Sequence, residues 1–153
     1  MERECFIETP IGVLRVVTEG ECVTSIMLAE GSCVRELQPE DTLLQLVKDE
    51  IREYFAGRLC CFTFPVRMTG TPFQERVWEE LRRIPYGTTV TYGEIATRIG
   101  CPKGSRAVGG ACNSNRVLIA VPCHRVVGAS GMLTGFVVGI ERKEFLLRLE
   151  NAF

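Results

Sequence analysis

Cys123 and His124 are adjacent in the chain, directly after Pro122, and His124 is the only histidine among the 153 residues. A thiolate is a strong nucleophile, and a histidine within hydrogen-bond reach, directly or through a water, can take up the thiol proton. Neighbouring side chains of an extended strand point to opposite sides. His124 can therefore serve Cys123 only if the backbone bends there, as Pro122 permits. The pair indicates a candidate nucleophile with its base, provided that the rest of the chain supports it.

A histidine that acts as a base is usually oriented by a carboxylate. Glu141 and Glu150, on or just after the last predicted helix, are both candidates for that carboxylate. Adjacent cysteine and histidine residues are by themselves a weak signal, because such pairs also occur by chance. The assignment of an active site therefore needs further residues.

The chain has eight cysteines, and we interpret most of them as small buried apolar residues. Disulfide bonds are the alternative if the source is a hyperthermophile. A zinc site would have to draw on cysteines that lack the C-x-x-C spacing of zinc ligands and have no histidine near them in sequence, so we predict no metal. These cysteines are Cys5, Cys22, Cys33, Cys60 and Cys61.

The composition, 46% hydrophobic and 24% charged, is that of a globular protein with one core or two small domains. No apolar run reaches the ~20 residues of a membrane span, and the N-terminus lacks the layout of a signal peptide, so we expect a cytoplasmic protein without a membrane partner. Residues 1–65 hold 6 Lys/Arg and 12 Asp/Glu, whereas residues 66–153 hold 12 and 7. The basic second part is equally compatible with a polyanionic partner and with a solvated basic surface.

The elements that must position the pair fall into two parts. Three β-rich runs at residues 5–9, 13–18 and 23–28 precede an amphipathic helix over residues 41–55, which Gly57 ends. Residues 60–66 are predicted to be a short strand or an extended linker, and we place the domain boundary between residues 66 and 67. The sequence thus predicts an α+β protein with a small sheet-and-helix domain (1–66) and a mostly helical domain (67–153).

In the second part, Thr71 with Pro72 predicts a helix start, and Thr91 and Ser105 are predicted to cap two short helices over residues 92–99 and 106–111. Two short helices joined by a Gly/Pro break fit a helix-turn-helix. A strand-like run over residues 117–121 is predicted to deliver Cys123 at its end. A closing helix over residues 141–149 is predicted to bury Phe145, Leu146 and Leu149.

Residues 119–127 (Ile-Ala-Val-Pro-Cys-His-Arg-Val-Val) strongly resemble the active-site motif of the O6-alkylguanine-DNA alkyltransferases, which are suicide DNA-repair proteins. Matches in the same order cover nearly the whole second part, whereas residues 1–65 match only in general layout. The matching segments are 70–78 (Gly-Thr-Pro-Phe-Gln-Glu-Arg-Val-Trp), 84–87 (Ile-Pro-Tyr-Gly), 91–96 (Thr-Tyr-Gly-Glu-Ile-Ala), 103–110 (Lys-Gly-Ser-Arg-Ala-Val-Gly-Gly) and 143–147 (Lys-Glu-Phe-Leu-Leu).

The resemblance implies a role for each matching residue. Cys123 corresponds to the alkyl acceptor, and His124 and Glu150 to the residues that remove its proton through a bridging water. Asn115 corresponds to the asparagine that joins the recognition helix to the active-site turn. Tyr92 corresponds to a tyrosine that helps to rotate the target base and can donate a hydrogen bond to guanine. The residues implied to contact DNA are Tyr92, Ser105, Arg106 (a finger that fills the gap in the base stack), Ala107, Gly110, Ala111 and Arg125.

The residues implied to line the base and alkyl pocket are Val126, Phe136, Val137, Val138 and Lys143. Residues 134–139 (Thr-Gly-Phe-Val-Val-Gly) depart from the Gly-Tyr-x-Gly-Gly of the family. Phe136 lacks the tyrosine hydroxyl, and Val138 replaces a glycine. We therefore expect poorer acceptance of large groups such as benzyl.

The resemblance also implies a ribonuclease H-like first domain, a winged helix-turn-helix-like second domain and a monomer that uses no cofactor. The implied reaction is a single, irreversible transfer of an alkyl group, chiefly methyl and from guanine O6 or also from thymine O4, from duplex DNA bound through its minor groove. One rival is a lesion-binding protein without a nucleophile, which Cys123 argues against. The other is a cysteine hydrolase, for which the sequence shows no oxyanion hole.

Overall fold

The computed structural model describes residues 2–29, 41–136 and 138–152. Its residues group into two compact units, 1–68 with 116–120 and 69–115 with 121–153. A single boundary between residues 66 and 67 does not represent the return of residues 116–120 to the first unit. The mixed α+β fold class is confirmed.

The first unit contains an antiparallel sheet in the order β1 (Glu2–Thr9), β2 (Gly12–Glu19) and β3 (Cys22–Leu28). Alternate residues of the strands, such as Ile7, Leu14 and Val16, are buried, as expected for a sheet with one face on a core. Helix α1 (Thr42–Phe55) follows, and the side chain of Asp41 caps it by accepting a hydrogen bond from the Leu44 N–H at 2.9 Å. The three predicted strands and this helix are confirmed.

Two short segments of chain form hydrogen bonds with the free edge of β3. The Ile26 N–H donates to the Arg116 carbonyl at 2.8 Å, and Val23 forms a single bridge with Val66. Each segment forms only one bridge, so residues 60–66 match the extended linker, one of the two predicted possibilities, and residues 117–121 do not form a regular strand. After Val117 the chain turns at once, with Ile119 at a φ of 72°, so no longer ladder can form.

The second unit is mostly helical. Its elements are α2 (Pro72–Leu81), β4 (Val90–Thr91), α3 (Tyr92–Arg98), α4 (Ser105–Asn113), a 3₁₀ turn (Cys123–Arg125), β5 (Val126–Val127), a second 3₁₀ turn (Ala129–Gly131) and α5 (Ile140–Leu149). Strands β4 and β5 pair in parallel. The side chains of Thr71 and Thr91 cap α2 and α3, as predicted. Ser105 does not cap α4, since it is the first helical residue and Gly104 takes the cap position without a side-chain bond.

Of the three residues of α5 predicted to be buried, Leu146 is buried, Leu149 is half-buried and Phe145 is exposed. Lys143, Leu146 and Leu147 are buried, whereas the side chain of Phe145 is 39% exposed. The prediction from apolar spacing was wrong for Phe145 because two polar residues, Lys143 and Glu150, occupy the buried side seven positions apart. A hydropathy pattern cannot anticipate buried polar groups whose partners lie elsewhere in the chain. Among the described residues no helix is both long and apolar enough to cross a membrane.

Candidate active site

The Cys123 side chain is held inside the second unit by a tight turn. The backbone bends after Pro122 into the 3₁₀ turn, which supplies the predicted bend, although no strand leads into it. Cys123 is 3% exposed. The Asn115 Nδ2 group donates to Cys123 Sγ at 3.2 Å and to the Val121 carbonyl at 2.8 Å. Asn115, the second residue after α4, thus connects the end of that helix to Val121 before the turn and to Cys123 within it.

Glu150 is the carboxylate that meets His124. Its Oε2 atom lies 2.7 Å from His124 Nε2, and both side chains are fully buried. Arg125 forms a two-bond fork with the same carboxylate, from Nε to Oε1 at 2.8 Å and from Nη2 to Oε2 at 3.0 Å. Of the two candidates from the sequence, Glu150 makes this contact, whereas Glu141 is exposed at the start of α5.

The protonation of the pair follows from its burial. Burial lowers the pKa of His124, and the contact with Glu150 opposes that shift. Burial also raises the pKa of the Cys123 thiol to about 11, although the Asn115 hydrogen bond and the Lys143 charge act in the other direction. At neutral pH the site therefore contains a neutral thiol beside a neutral imidazole, which is the starting state for base-assisted ionisation of the thiol. His124 Nδ1 has no hydrogen-bond partner within the described part of the chain, so it is the ring atom that is open to a proton.

Lys143 is a fully buried cation at the same site. Its Nζ donates to the Thr134 carbonyl at 2.8 Å and to the Gly135 carbonyl at 3.3 Å, and it lies 5.7 Å from the centre of the Tyr92 ring. Burial lowers the pKa of Lys143, and ionisation of Cys123 or Cys112 would act in the opposite direction. Lys143 thus ties the predicted pocket segment to α5 and places a positive charge near the thiol.

Arg125, predicted to contact DNA, is buried and bound within the protein. Its side chain is 7% exposed, its fork is engaged by Glu150, and its Nη1 donates to the Ile84 carbonyl at 2.8 Å. The structure therefore groups Arg125 with His124 and Glu150. Sequence position alone could not distinguish the two placements.

Five of the seven residues predicted to contact DNA lie on helix α4, and four of these five are on its exposed side. Ala111 is the exception, because it is 2% exposed and its carbonyl accepts a hydrogen bond from Trp78 Nε1 at 2.8 Å. A β-carbon at Gly110 would meet no atom within 4 Å, which shows that this side of the helix is open. The exposed residues are Ser105, Arg106, Ala107 and Gly110.

The residues predicted to line the pocket differ in how deeply they are buried. Val126 is fully buried in β5, where it pairs with Val90. Phe136 and Val138 are half-buried, and the Val138 carbonyl accepts a hydrogen bond from Arg142 Nη1 at 2.8 Å. Val137 lies outside the described residues.

Two features of the site were not assigned from the sequence. Residues 84–87 frame Glu150 and Arg125 through the Ile84 carbonyl and through the Gly87 N–H, which lies 3.4 Å from Glu150 Oε1. The Ile-Pro-Tyr-Gly motif was a visible signal for this frame. The second feature is Cys112, a buried thiol on α4 whose pKa burial raises to about 12. No sequence pattern distinguishes Cys112 from an ordinary core cysteine.

The other cysteines form no metal cluster within the described ranges, where no group of three or more Cys, His, Asp or Glu side chains is placed to bind an ion. Cys5 is buried, Cys22 is partly exposed, and Cys60 and Cys61 are exposed; all four are free thiols. Cys33 lies outside the described residues.

The sequence matches two family models over almost its whole length. Residues 3–68 match the 6-O-methylguanine DNA methyltransferase, ribonuclease-like domain, and residues 72–152 match the 6-O-methylguanine DNA methyltransferase, DNA binding domain. Relatives named methylated-DNA–protein-cysteine methyltransferase occur in Mycobacterium bovis (44% identity, 95% of this chain and 90% of the relative) and in Methanosarcina acetivorans (43%, 95% and 96%).

The fold is also similar to a solved structure. The crystal structure of Mycobacterium tuberculosis OGT in complex with DNA superposes with a TM-score of 0.87 at 44% identity, covering 97% of this chain and 92% of that one. Sequence and fold agree over both units. The chain belongs to the 6-O-methylguanine DNA methyltransferase family.

Proposed function

We propose that this protein repairs DNA by transferring an alkyl group, chiefly methyl, from O6 of guanine to Cys123. The observation that carries the proposal is the buried Cys123 beside Asn115, His124 and Glu150, in a chain that belongs to a family of methylated-DNA–protein-cysteine methyltransferases. Such a group of residues can ionise a thiol that burial would otherwise keep neutral.

The chemical step needs no cofactor. The thiol proton passes to His124 Nδ1 through a water, and the resulting imidazolium is stabilised by Glu150. The thiolate sulfur then attacks the alkyl carbon, so an S–C bond forms as the C–O6 bond breaks. The electron pair of the broken bond remains on the guanine, which is protonated as it leaves, while His124 releases the proton that it took from the thiol, so no net proton is gained or lost. The product is a thioether, and no residue of the site is placed to hydrolyse it, so each protein molecule acts once.

DNA must deliver the base to the thiol, because Cys123 is only 3% exposed. A guanine stacked in a duplex cannot reach such an atom, so the target nucleotide has to rotate out of the helix. The exposed small residues of α4 suit a minor groove, and Arg106 at the start of that helix suits the gap that the base leaves. Tyr92, next to Lys143, suits the role of guiding the base. We further propose that the protein acts as a monomer in the cytoplasm and leave O4 of thymine as a second substrate to test.

The test is a transfer experiment with a duplex that carries isotopically labelled O6-methylguanine. We expect one methyl group per protein, located on Cys123 by mass spectrometry of peptides, and a burst that stops at one equivalent. The Cys123→Ser variant is expected to bind the duplex without transfer. The Cys112→Ser variant is a matched control, because Cys112 is also a buried thiol of the second unit, and it is expected to be methylated at Cys123. Binding without transfer in the wild type, transfer to another residue, or repeated turnover of an ester or peptide would each contradict the proposal.

A further inference from the structure

Arg125 and residues 84–87 surround the Glu150 carboxylate with contacts that the transfer step itself does not require. The Glu150 carboxylate receives two bonds from Arg125 and one from His124, and the Gly87 N–H lies 3.4 Å from Oε1. Tyr86 contributes twice, since its hydroxyl donates to the Leu149 carbonyl at 3.4 Å and its ring lies 5.8 Å from the Arg125 guanidinium carbon. So many contacts hold the buried ion pair of Arg125 and Glu150 in one fixed geometry.

We propose that Arg125 is a positioning residue for alkyl transfer: it fixes Glu150 against His124, and its positive charge adds to the burial that keeps His124 unprotonated at neutral pH. This inference rests on the proposed function for its kinetic consequences. Its claim about the protonation of His124 can be tested without DNA.

The geometric half of the proposal follows from the fork. A guanidinium that makes two parallel bonds to one carboxylate fixes both the position and the plane of that carboxylate. The Glu150 Oε2 atom that meets His124 Nε2 also accepts a bond from Arg125 Nη2. The orientation of the imidazole is thereby set, and with it the direction in which Nδ1 can accept a proton.

The electrostatic half follows from a count of charges. With Arg125 and Glu150 ionised and His124 neutral, the buried triad has no net charge. Uptake of a proton would leave it with a net positive charge inside the protein, which is costly. Without Arg125, the same pair of His124 and Glu150 would have a net negative charge and would bind a proton more readily. The proton then belongs to the pair as a whole, whichever atom holds it.

The other groups that face His124 act in the same direction or remain unchanged. Lys143 also disfavours the charged imidazole, and Cys123 is uncharged in the resting site, since burial raises its pKa to about 11. Both groups remain in an Arg125 variant. A change in the protonation of His124 in such a variant can therefore be assigned to Arg125.

The experiment uses the full-length protein, in which His124 gives a single, unambiguous histidine NMR signal because the chain has one histidine. In the wild type we expect a neutral imidazole at pH 7 with the proton on Nε2. In Arg125→Met we expect proton uptake by the pair to shift upward by about one pH unit or more. The acidic side of the pH profile of transfer to labelled duplex should move upward by the same amount, so that transfer falls at low pH and recovers as the pH rises. Arg125→Lys keeps the positive charge but cannot form the two parallel hydrogen bonds to Glu150. The acid limb of its pH–rate profile, that is, the fall in rate at low pH, should therefore stay near that of the wild type, while transfer is slower at every pH.

Arg148→Met is the matched control, because Arg148 is an exposed arginine on α5 that pairs with Glu144. We expect it to leave both the histidine titration and the transfer rate unchanged. A charged His124 in the wild type at pH 7, or a folded Arg125→Met with the wild-type titration, overturns the proposal. If Arg125→Met does not fold, the wild-type titration and the pH profile of Arg125→Lys decide, and an acid limb moved upward by a unit in Arg125→Lys overturns the role of the charge. Absence of transfer in the wild type would contradict the proposed function alone.

Discussion

At the scale of single residues, burial opposes the chemistry that Cys123 has to perform. The pKa of its thiol is raised to about 11, so the thiolate is scarce at neutral pH unless neighbours favour it. The hydrogen bond from Asn115 Nδ2 to the sulfur lowers this pKa. His124, in the same turn, is the base that can take up the proton. The reactivity of the cysteine therefore depends on donors that are fixed before DNA binds.

Replacement of Asn115 by Ala tests this dependence. Loss of the donor should raise the pKa of Cys123 further, so transfer at pH 7 should slow by about tenfold, the equivalent of one hydrogen bond. The Val121 carbonyl also loses one of its two hydrogen bonds and keeps the one from the Cys123 N–H, so the free energy of unfolding should fall by about 0.5–1.5 kcal/mol. Rapid-quench transfer rates and denaturant titrations measure the two effects. Asn113→Ala, at the exposed end of α4, is the control, and an unchanged rate in Asn115→Ala would show that this donor is dispensable.

Val138 offers a second prediction at this scale. Its side chain is half-buried in the segment expected to line the alkyl pocket, where the family has glycine. The added bulk should slow the reaction with large groups while methyl transfer proceeds. Val138→Gly should therefore be inactivated faster by O6-benzylguanine than the wild type, as measured by loss of transfer activity over time. Equal rates of inactivation would contradict a role for Val138 in size selection.

At the scale of elements, α4 combines a buried side with an unusually smooth exposed one. Val108, Ala111 and Cys112 are buried, whereas a β-carbon at Gly110 would meet nothing within 4 Å. A glycine inside a helix costs roughly 0.5–1 kcal/mol relative to alanine, so folding alone does not explain this residue. Close approach of a DNA groove to the backbone of α4 would explain a glycine at this position.

Substitution of Gly110 separates these two effects. Gly110→Ala should raise the free energy of unfolding by about 0.5–1 kcal/mol, because the new methyl group meets no other atom. Gly110→Leu should bind duplex DNA more weakly than Gly110→Ala, since its bulk would hold the helix away from the groove. Thermal unfolding and fluorescence-anisotropy titrations give the two quantities. Gly110→Leu protein that is folded and binds as tightly as the wild type would argue against this side of α4 as the DNA contact.

At the scale of the whole molecule, the charges of the two parts of the chain differ in sign. Residues 1–65 have a net charge of −6 and residues 66–153 a net charge of +5, although the chain as a whole has a charge of −1. Proteins release counterions from DNA in proportion to the phosphates that their cations neutralise. Affinity should therefore depend on basic residues of the second part and not on those of the first.

A pair of lysine variants tests this division. Lys103 is exposed just before α4, and Lys48 lies in α1 of the first unit. Lys103→Gln should reduce the slope of log affinity against log salt by about 1, the loss of one phosphate contact. Lys48→Gln should leave the slope unchanged. Binding titrations at several salt concentrations measure the slopes, and equal slopes for Lys103→Gln and the wild type would remove Lys103 from the contact surface.

The sequence by itself determined the class of fold, the capped helix starts and the family. These depend on local patterns: alternating apolar residues in the first strands, Thr71 and Thr91 before their helices, and the motif around Cys123. Only the tertiary structure showed that Arg125 holds Glu150, that Lys143 and not Phe145 faces the core, and that residues 116–120 join the first unit. Buried polar groups are stabilised by partners distant in the chain. Arg125 and Glu150 lie 25 positions apart, and no local pattern of the sequence indicates their contact.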